Sequence, residues 1–164
     1  MSKLNKRTRV ILYPNHKPFL VDLMRKNFEN NEGLDRWNED CVQLWSKIAP
    51  DVQSAKLSNK EIDTSLDTLL HTFRGGHLFG ETIVPIVLKS YPGLMQGDRL
   101  VEAVEVLEDE SENLGALKTV QLWLNLAMKN ITEHKEHLSD FSDCYDCLVI
   151  QNALNTKISR MEAA

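Results

Sequence analysis

The sequence predicts an all-α fold: a compact single-domain bundle of about six to seven helices with a short extended N-terminal arm. Three observations predict it. Apolar residues recur at helical or heptad spacing over most of the chain. The spans so marked are 18–29, 34–48, 58–74, 82–91, 98–110, 114–137 and 143–161, about two-thirds of the 164 residues and well above an average protein's helical share. The composition, 42% hydrophobic and 26% charged with only 7 Gly and 5 Pro, suits one globular domain over residues 1–164 rather than a linker. No repeat period is visible, which disfavours a solenoid.

Residues 1–14 read as a basic arm. Arg9-Val10-Ile11-Leu12-Tyr13 favours extended structure and ends at Pro14, and with no second strand to pair it, an arm draped over the body is expected. A helix starts near Pro18, its face made of Leu20, Leu23, Met24 and Phe28, and Asn30 to Gly33 breaks it. Leu34, Trp37, Cys41, Leu44 and Ile48 then step as a heptad seam, widened by Trp45, with Pro50 expected to stop the helix. Ser58 and Glu61 spell a capping box. Ile62, Leu66, Leu69, Leu70 and Phe73 form the next stripe, and Gly75-Gly76 is a stop signal.

The stretch 77–97 is the least regular. Residues 82–88 are apolar throughout with Pro85 inside, and a short helix beginning near Pro85 is expected, a buried extended segment being the alternative. Tyr91-Pro92-Gly93 makes a turn, and Gly97-Asp98 opens a helix with Leu100, Val104 and Leu107 on one side. Asp109 to Gly115 is either a turn or a weak point in one long helix. Leu117, Val120, Leu124, Ala127 and Ile131 resume heptad spacing, with Trp123 and Leu126 beside them. Cys147, Ile150, Leu154, Ile158 and Met161 line the last helix. These two long helices are expected to pack as an antiparallel hairpin. The final stripe ends near the C-terminus, so a partly uncovered face and a homodimer through it are expected.

The formal net charge of −5 conceals a split. Residues 1–26 carry seven basic residues (Lys3, Lys6, Arg7, Arg9, Lys17, Arg25 and Lys26) against Asp22, a net of +6. The remainder has 12 basic and 23 acidic residues, a net of −11. Its acidic peak is Asp98, Glu102, Glu105, Glu108, Asp109, Glu110 and Glu112, opposed locally only by Arg99. Such a basic tip on an acidic body can meet phosphates, dock on an acidic face, or stand as a solvated end.

Signals for chemistry are sparse. The Gly-x-Ser-x-Gly elbow, His-Glu-x-x-His and Glu-x-x-His are all absent, which excludes the corresponding hydrolase, zincin and di-iron readings. Gly75 to Gly80 resembles half a phosphate loop, but Glu81 stands where an ammonium is required. His134-x-x-His137 followed by Cys144-x-x-Cys147 offers two imidazoles and two thiols, a tetrahedral zinc set if a turn falls at Ser139–Ser142, and none if the helix is continuous. A redox role for the Cys pair is disfavoured by Asp143 and Asp146, which hold thiols protonated. Cys41 belongs to a packing seam. An enzyme site, if any, would gather His71, His77 and Glu81.

The functional expectation is therefore a non-enzymatic helical interaction module without a cofactor: an adaptor, regulator or inhibitor that binds another protein. Glu102, Glu105, Glu108, Asp109 and Glu112 are the expected contact face, with the N-terminal arm as a second contact. The alternative is a nucleic-acid-associated protein whose phosphate contacts are Lys3, Lys6, Arg7, Arg9, Lys17, Arg25 and Lys26; a zinc-stabilised domain is the minor alternative. Three Cys suit a reducing cytoplasm. No uncharged run exceeds ten residues, and no apolar stretch with a cleavage site follows the basic start, so neither membrane span nor secretory signal is expected.

Overall fold

The computed structural model describes residues 18, 21–23, 25, 34–75, 83–97 and 99–163. Among these residues every regular element is helical and no strand occurs. The elements are α1 (Leu34–Ser54), α2 (Asn59–Gly75), α3 (Val84–Ser90), a single turn α4 (Leu94–Gly97), α5 (Leu100–Asp109), α6 (Leu114–Glu133), a 3-10 segment (Lys135–Asp140) and α7 (Phe141–Ala163). The arm 1–14 lies outside the described residues. Of the expected helix 18–29, residues 21–23 are helical and Leu23 is buried in the core.

Helix α7 is the centre of the bundle. Cys144, Tyr145, Asp146, Cys147, Leu148, Val149 and Ile150 are consecutive and all buried. A helix closed to water on every side needs neighbours all round. Side-chain bonds give their directions. Trp45 meets Phe141 edge-on at 5.8 Å, and Asn152 reaches the carbonyl of Val52, so α1 runs parallel to α7. Lys118 pairs with Glu162, Gln121 with Asn155 and Asn125 with Gln151, so α6 runs antiparallel to it, as the hairpin expectation requires. Arg160 bonds Asn59 at the start of α2, and Ile62 packs on Ala153, so α2 is antiparallel as well. Helices α5 and α3 lie on α6.

The helix ends follow their sequence signals closely. The Ser58 N–H donates to the Glu61 carboxylate at 2.9 Å, and the Glu61 N–H donates to Ser58 Oγ at 3.2 Å, closing the capping box. Pro85 sits in the first turn of α3, where its missing N–H costs nothing. Between Asp109 and Gly115 the chain turns: α5 ends, and Asn113 caps α6 by accepting the Ala116 N–H at 3.0 Å.

The structure departs from expectation at three boundaries and in the burial of one stripe. Helix α1 does not stop at Pro50 but runs on to Ser54. Pro50 is exposed, and so is Ser46, whose carbonyl lacks the donor that Pro50 cannot supply. Beyond it Val52 is fully buried, and Asn152 donates to the terminal carbonyls of Val52 and Ala55. The span 114–137 is not one helix: α6 stops at Glu133 and the chain tightens into the 3-10 segment. The loosened carbonyls find donors on α1, Asn38 bonding Lys135 and the Trp37 indole bonding Ser139 at 2.8 Å. Gly97-Asp98 does not open α5, which begins at Leu100 behind Arg99 in the left-handed region (φ 54°, ψ 42°). Finally, the stripe expected to be partly uncovered is covered within the chain. Cys147, Ile150, Leu154 and Ile158 are buried and Met161 packs on the core, so this stripe supplies no reason for a homodimer.

Replacing Asn113 with Ala removes the α6 cap. We expect a loss of about 1 kcal/mol, read as a fall in Tm of about 2–4 °C by thermal unfolding, with the helical circular dichroism of the folded protein unchanged.

Candidate interaction surface

Helix α5 divides cleanly. Leu100, Ala103, Val104 and Leu107, spaced i, i+3, i+4 and i+7, are its buried residues. That spacing puts Glu102, Glu105, Glu108 and Asp109 on the opposite side, all exposed, and Glu110 and Glu112 follow in the exposed turn. Arg99 is 3.9 Å from Glu102, but both side chains are more than half exposed, so water screens the pair and it contributes little. Val101, half exposed, stands one turn before Glu105 and gives the acidic face an apolar point. Four of the five expected contact residues therefore lie on the exposed side of α5, and Glu112 lies in the exposed turn after it.

An open groove lies beside this edge. It is formed where α2 and α7 meet the α5–α6 hairpin, has a volume of about 320 Å³, and is floored by leucines from α2, α5 and α6. Asp63 and Asp67, one turn apart on α2, rim one side, and Ser111 in the acidic turn and Lys157 of α7 also line it. These residues were missed by the reading of the sequence. The only trace there is the paired i, i+4 spacing of Asp63 with Asp67 and Leu66 with Leu70. That this rail meets Leu107 and Lys157 follows from the fold alone.

The other candidate residues separate. His134 ends α6, its N–H bonded to the Asn130 carbonyl and its side chain exposed, and its ring lies 6.3 Å from that of His137. Cys144 and Cys147, by contrast, are on the buried side of α7, where the Cys144 thiol donates to the backbone carbonyl of His137 at 3.3 Å. The chain does break between the two pairs, yet the break turns the thiols inward and leaves His134 outside. The four-ligand set is not assembled, and among the described residues no group of three or more His, Cys, Asp or Glu is placed to hold a metal ion. Cys41 is buried on its seam. His71 is exposed on α2, while His77 and Glu81 lie outside the described residues. So do Lys3, Lys6, Arg7, Arg9, Lys17 and Lys26; Arg25 is exposed.

Burial pushes the Cys147 thiol far above its usual range, and the charges of Asp146 and Asp143 push it further. The thiol is thus neutral at physiological pH and unreactive.

Comparison with family models, with curated proteins and with solved structures finds no match to this chain. Among the described residues, no helix is long and apolar enough to cross a membrane.

The raised Cys147 value fixes a sign. Native protein keeps the thiol proton above about pH 9, whereas the unfolded chain releases it, so the stabilisation is complete below pH 9 and declines as pH rises. Denaturant unfolding at pH 8 and pH 10 should show wild type losing more stability over that interval than Cys147→Ala, by up to about 1.4 kcal/mol per pH unit. Equal losses would contradict the assignment.

Proposed function

We propose that this domain is a non-enzymatic interaction module, an adaptor, regulator or inhibitor, that binds a basic partner protein through the outer face of α5. The observation that carries the reading is the exposed run Glu102, Glu105, Glu108 and Asp109, continued by Glu110 and Glu112. Carboxylates so arranged create a negative potential that steers a positively charged surface and fixes its orientation more than it adds raw affinity. Val101, exposed within the same face, supplies an apolar contact point at which water can be excluded. No cofactor is required for this action.

The test is charge reversal. Partners captured from the source cell by the wild-type domain and identified by mass spectrometry are compared with those captured by Glu105→Lys, Glu108→Lys and Glu112→Lys combined. All three side chains are exposed, so the fold should be retained. The specific partner should bind the variant about tenfold or more weakly, chiefly through a slower association whose salt dependence is flattened. Full-strength binding of every partner by the variant would refute the reading.

A further inference from the structure

The groove beside α5 has two kinds of wall. Its floor is aliphatic: Leu66 and Leu70 of α2 meet Leu107 of α5. Leu66 and Leu70 are only partly buried, so apolar surface is left within reach of a visitor. Its rim is acidic. Asp63 and Asp67 project one turn apart beside those leucines, both exposed, and Ser111 on the groove is enclosed in sequence by Asp109, Glu110 and Glu112. Lys157 lines the groove, but no ion pair joins it to Asp63 or Asp67 among the described residues. Among the described residues, Asp63 and Asp67 are thus in no ion pair.

This combination selects its occupant. A neutral apolar molecule would fill the floor while stripping water from two carboxylates without compensation, which is unfavourable. A purely cationic segment would satisfy the rim and leave the leucines wet. The complement is a helical segment carrying an aliphatic side chain with Lys or Arg one turn away, the helix-in-groove mode of peptide recognition. The volume of about 320 Å³ accommodates such an anchor. Leu107 lines the groove and its neighbour Glu108 belongs to the acidic face, so the two features form one surface.

We propose that the groove is the anchoring pocket for the basic partner: one aliphatic side chain of a partner helix seats on Leu66, Leu70 and Leu107, and a flanking Lys or Arg pairs with Asp63 and Asp67. This rests on the reading of α5 as a docking face for a basic protein and adds where the partner's apolar anchor goes.

The experiment uses the full chain and a fluorescent helical peptide of about four turns, built from Leu, Ala, Lys and Arg, with binding read by anisotropy. Companion peptides replace the central Leu by Ser, or every Lys and Arg by Glu. The parent peptide should bind, shift the amide resonances of Leu66, Leu70 and Ser111, and lose about tenfold in affinity when its anchor is removed. Asp63→Lys with Asp67→Lys should weaken binding to a similar degree, and Asp63→Asn with Asp67→Asn less so, with circular dichroism confirming that each variant is folded. If the Lys pair binds at full strength while Glu105→Lys, Glu108→Lys and Glu112→Lys combined does not, the groove assignment falls and the α5 reading stands. If neither variant weakens binding, both fall. Anchor-independent binding overturns the proposal, as does failure of the parent peptide to bind. Carbodiimide coupling of Lys3 or Lys6 to Asp63 or Asp67 within a chain that excludes the peptide would make the protein's own arm the occupant, and would overturn it too.

Discussion

Seven consecutive residues of α7, from Cys144 to Ile150, are withdrawn from water, and an α-helix can achieve this only when other helices cover all of its faces. The bundle is arranged to meet that demand. Helix α1 lies parallel to α7, and α2 and α6 lie antiparallel, and between them Cys144 to Ile150 are buried. Long-range polar bonds gather at the helix ends. Asn152 serves the last carbonyls of α1, Arg160 serves the carbonyl of Leu57 and the side chain of Asn59, and Trp37 and Asn38 serve the 3-10 segment. Each of these bonds joins residues about a hundred positions apart, so α7 ties the beginning of the described chain to its end.

The same demand decides where function can reside. Elements committed to covering α7 use their apolar stripes inward, and the thiols of Cys144 and Cys147 are consumed as packing volume. Helix α5 has a different duty. Its principal neighbours are α6 and α2, and it presents a full outer face to water. The edge where α5, the following turn and α2 meet is thus both free of the central constraint and uneven enough to leave a groove.

Much of this was legible because it is local. Heptad seams in 34–48 and 114–131, the Ser58–Glu61 box, the placement of Pro85 and the two-sided pattern of α5 all depend on residues within a turn or two of each other. What was not legible depends on distant partners. Pro50 is a stop signal by itself. It is overridden because Val52 finds the core and Asn152, a hundred residues later, supplies donors to the helix end. Asp143 and Asp146 make the start of α7 look half solvated, which hid its burial on every face; Asp146 is in fact buried with its neighbours. The arrangement of the two His and two Cys was hidden for a related reason: spacing can bring two pairs within reach, but only packing decides that the thiols of one pair point into the core. The acidic outer side of α5 was visible as a run of charges, whereas the groove beside it needs α2, α5, α6 and α7 together.

The charges of α5 are also placed where stability alone would not put them. Glu102 in the first turn interacts favourably with the partial positive charge of the helix N-terminus, but Glu108 and Asp109 stand in the last turn, where the helix offers partial negative charge and carries no basic residue. Glu110 and Glu112 extend the same sign into the turn. A carboxylate in the last turn of a helix is unfavourable by a few tenths of a kcal/mol to about 1 kcal/mol at low ionic strength. The Arg99–Glu102 pair on this face is solvent-exposed and offsets little. A core-facing residue explains itself through the area it buries, and these residues bury none. A repulsive cluster kept at the edge of an otherwise consistent helix, next to an apolar groove with an acidic rim, is relieved when a cation approaches. Under the proposed function, that relief would favour a basic partner over a neutral one at the point where apolar contact is also available, so affinity and selectivity would arise from the same few side chains.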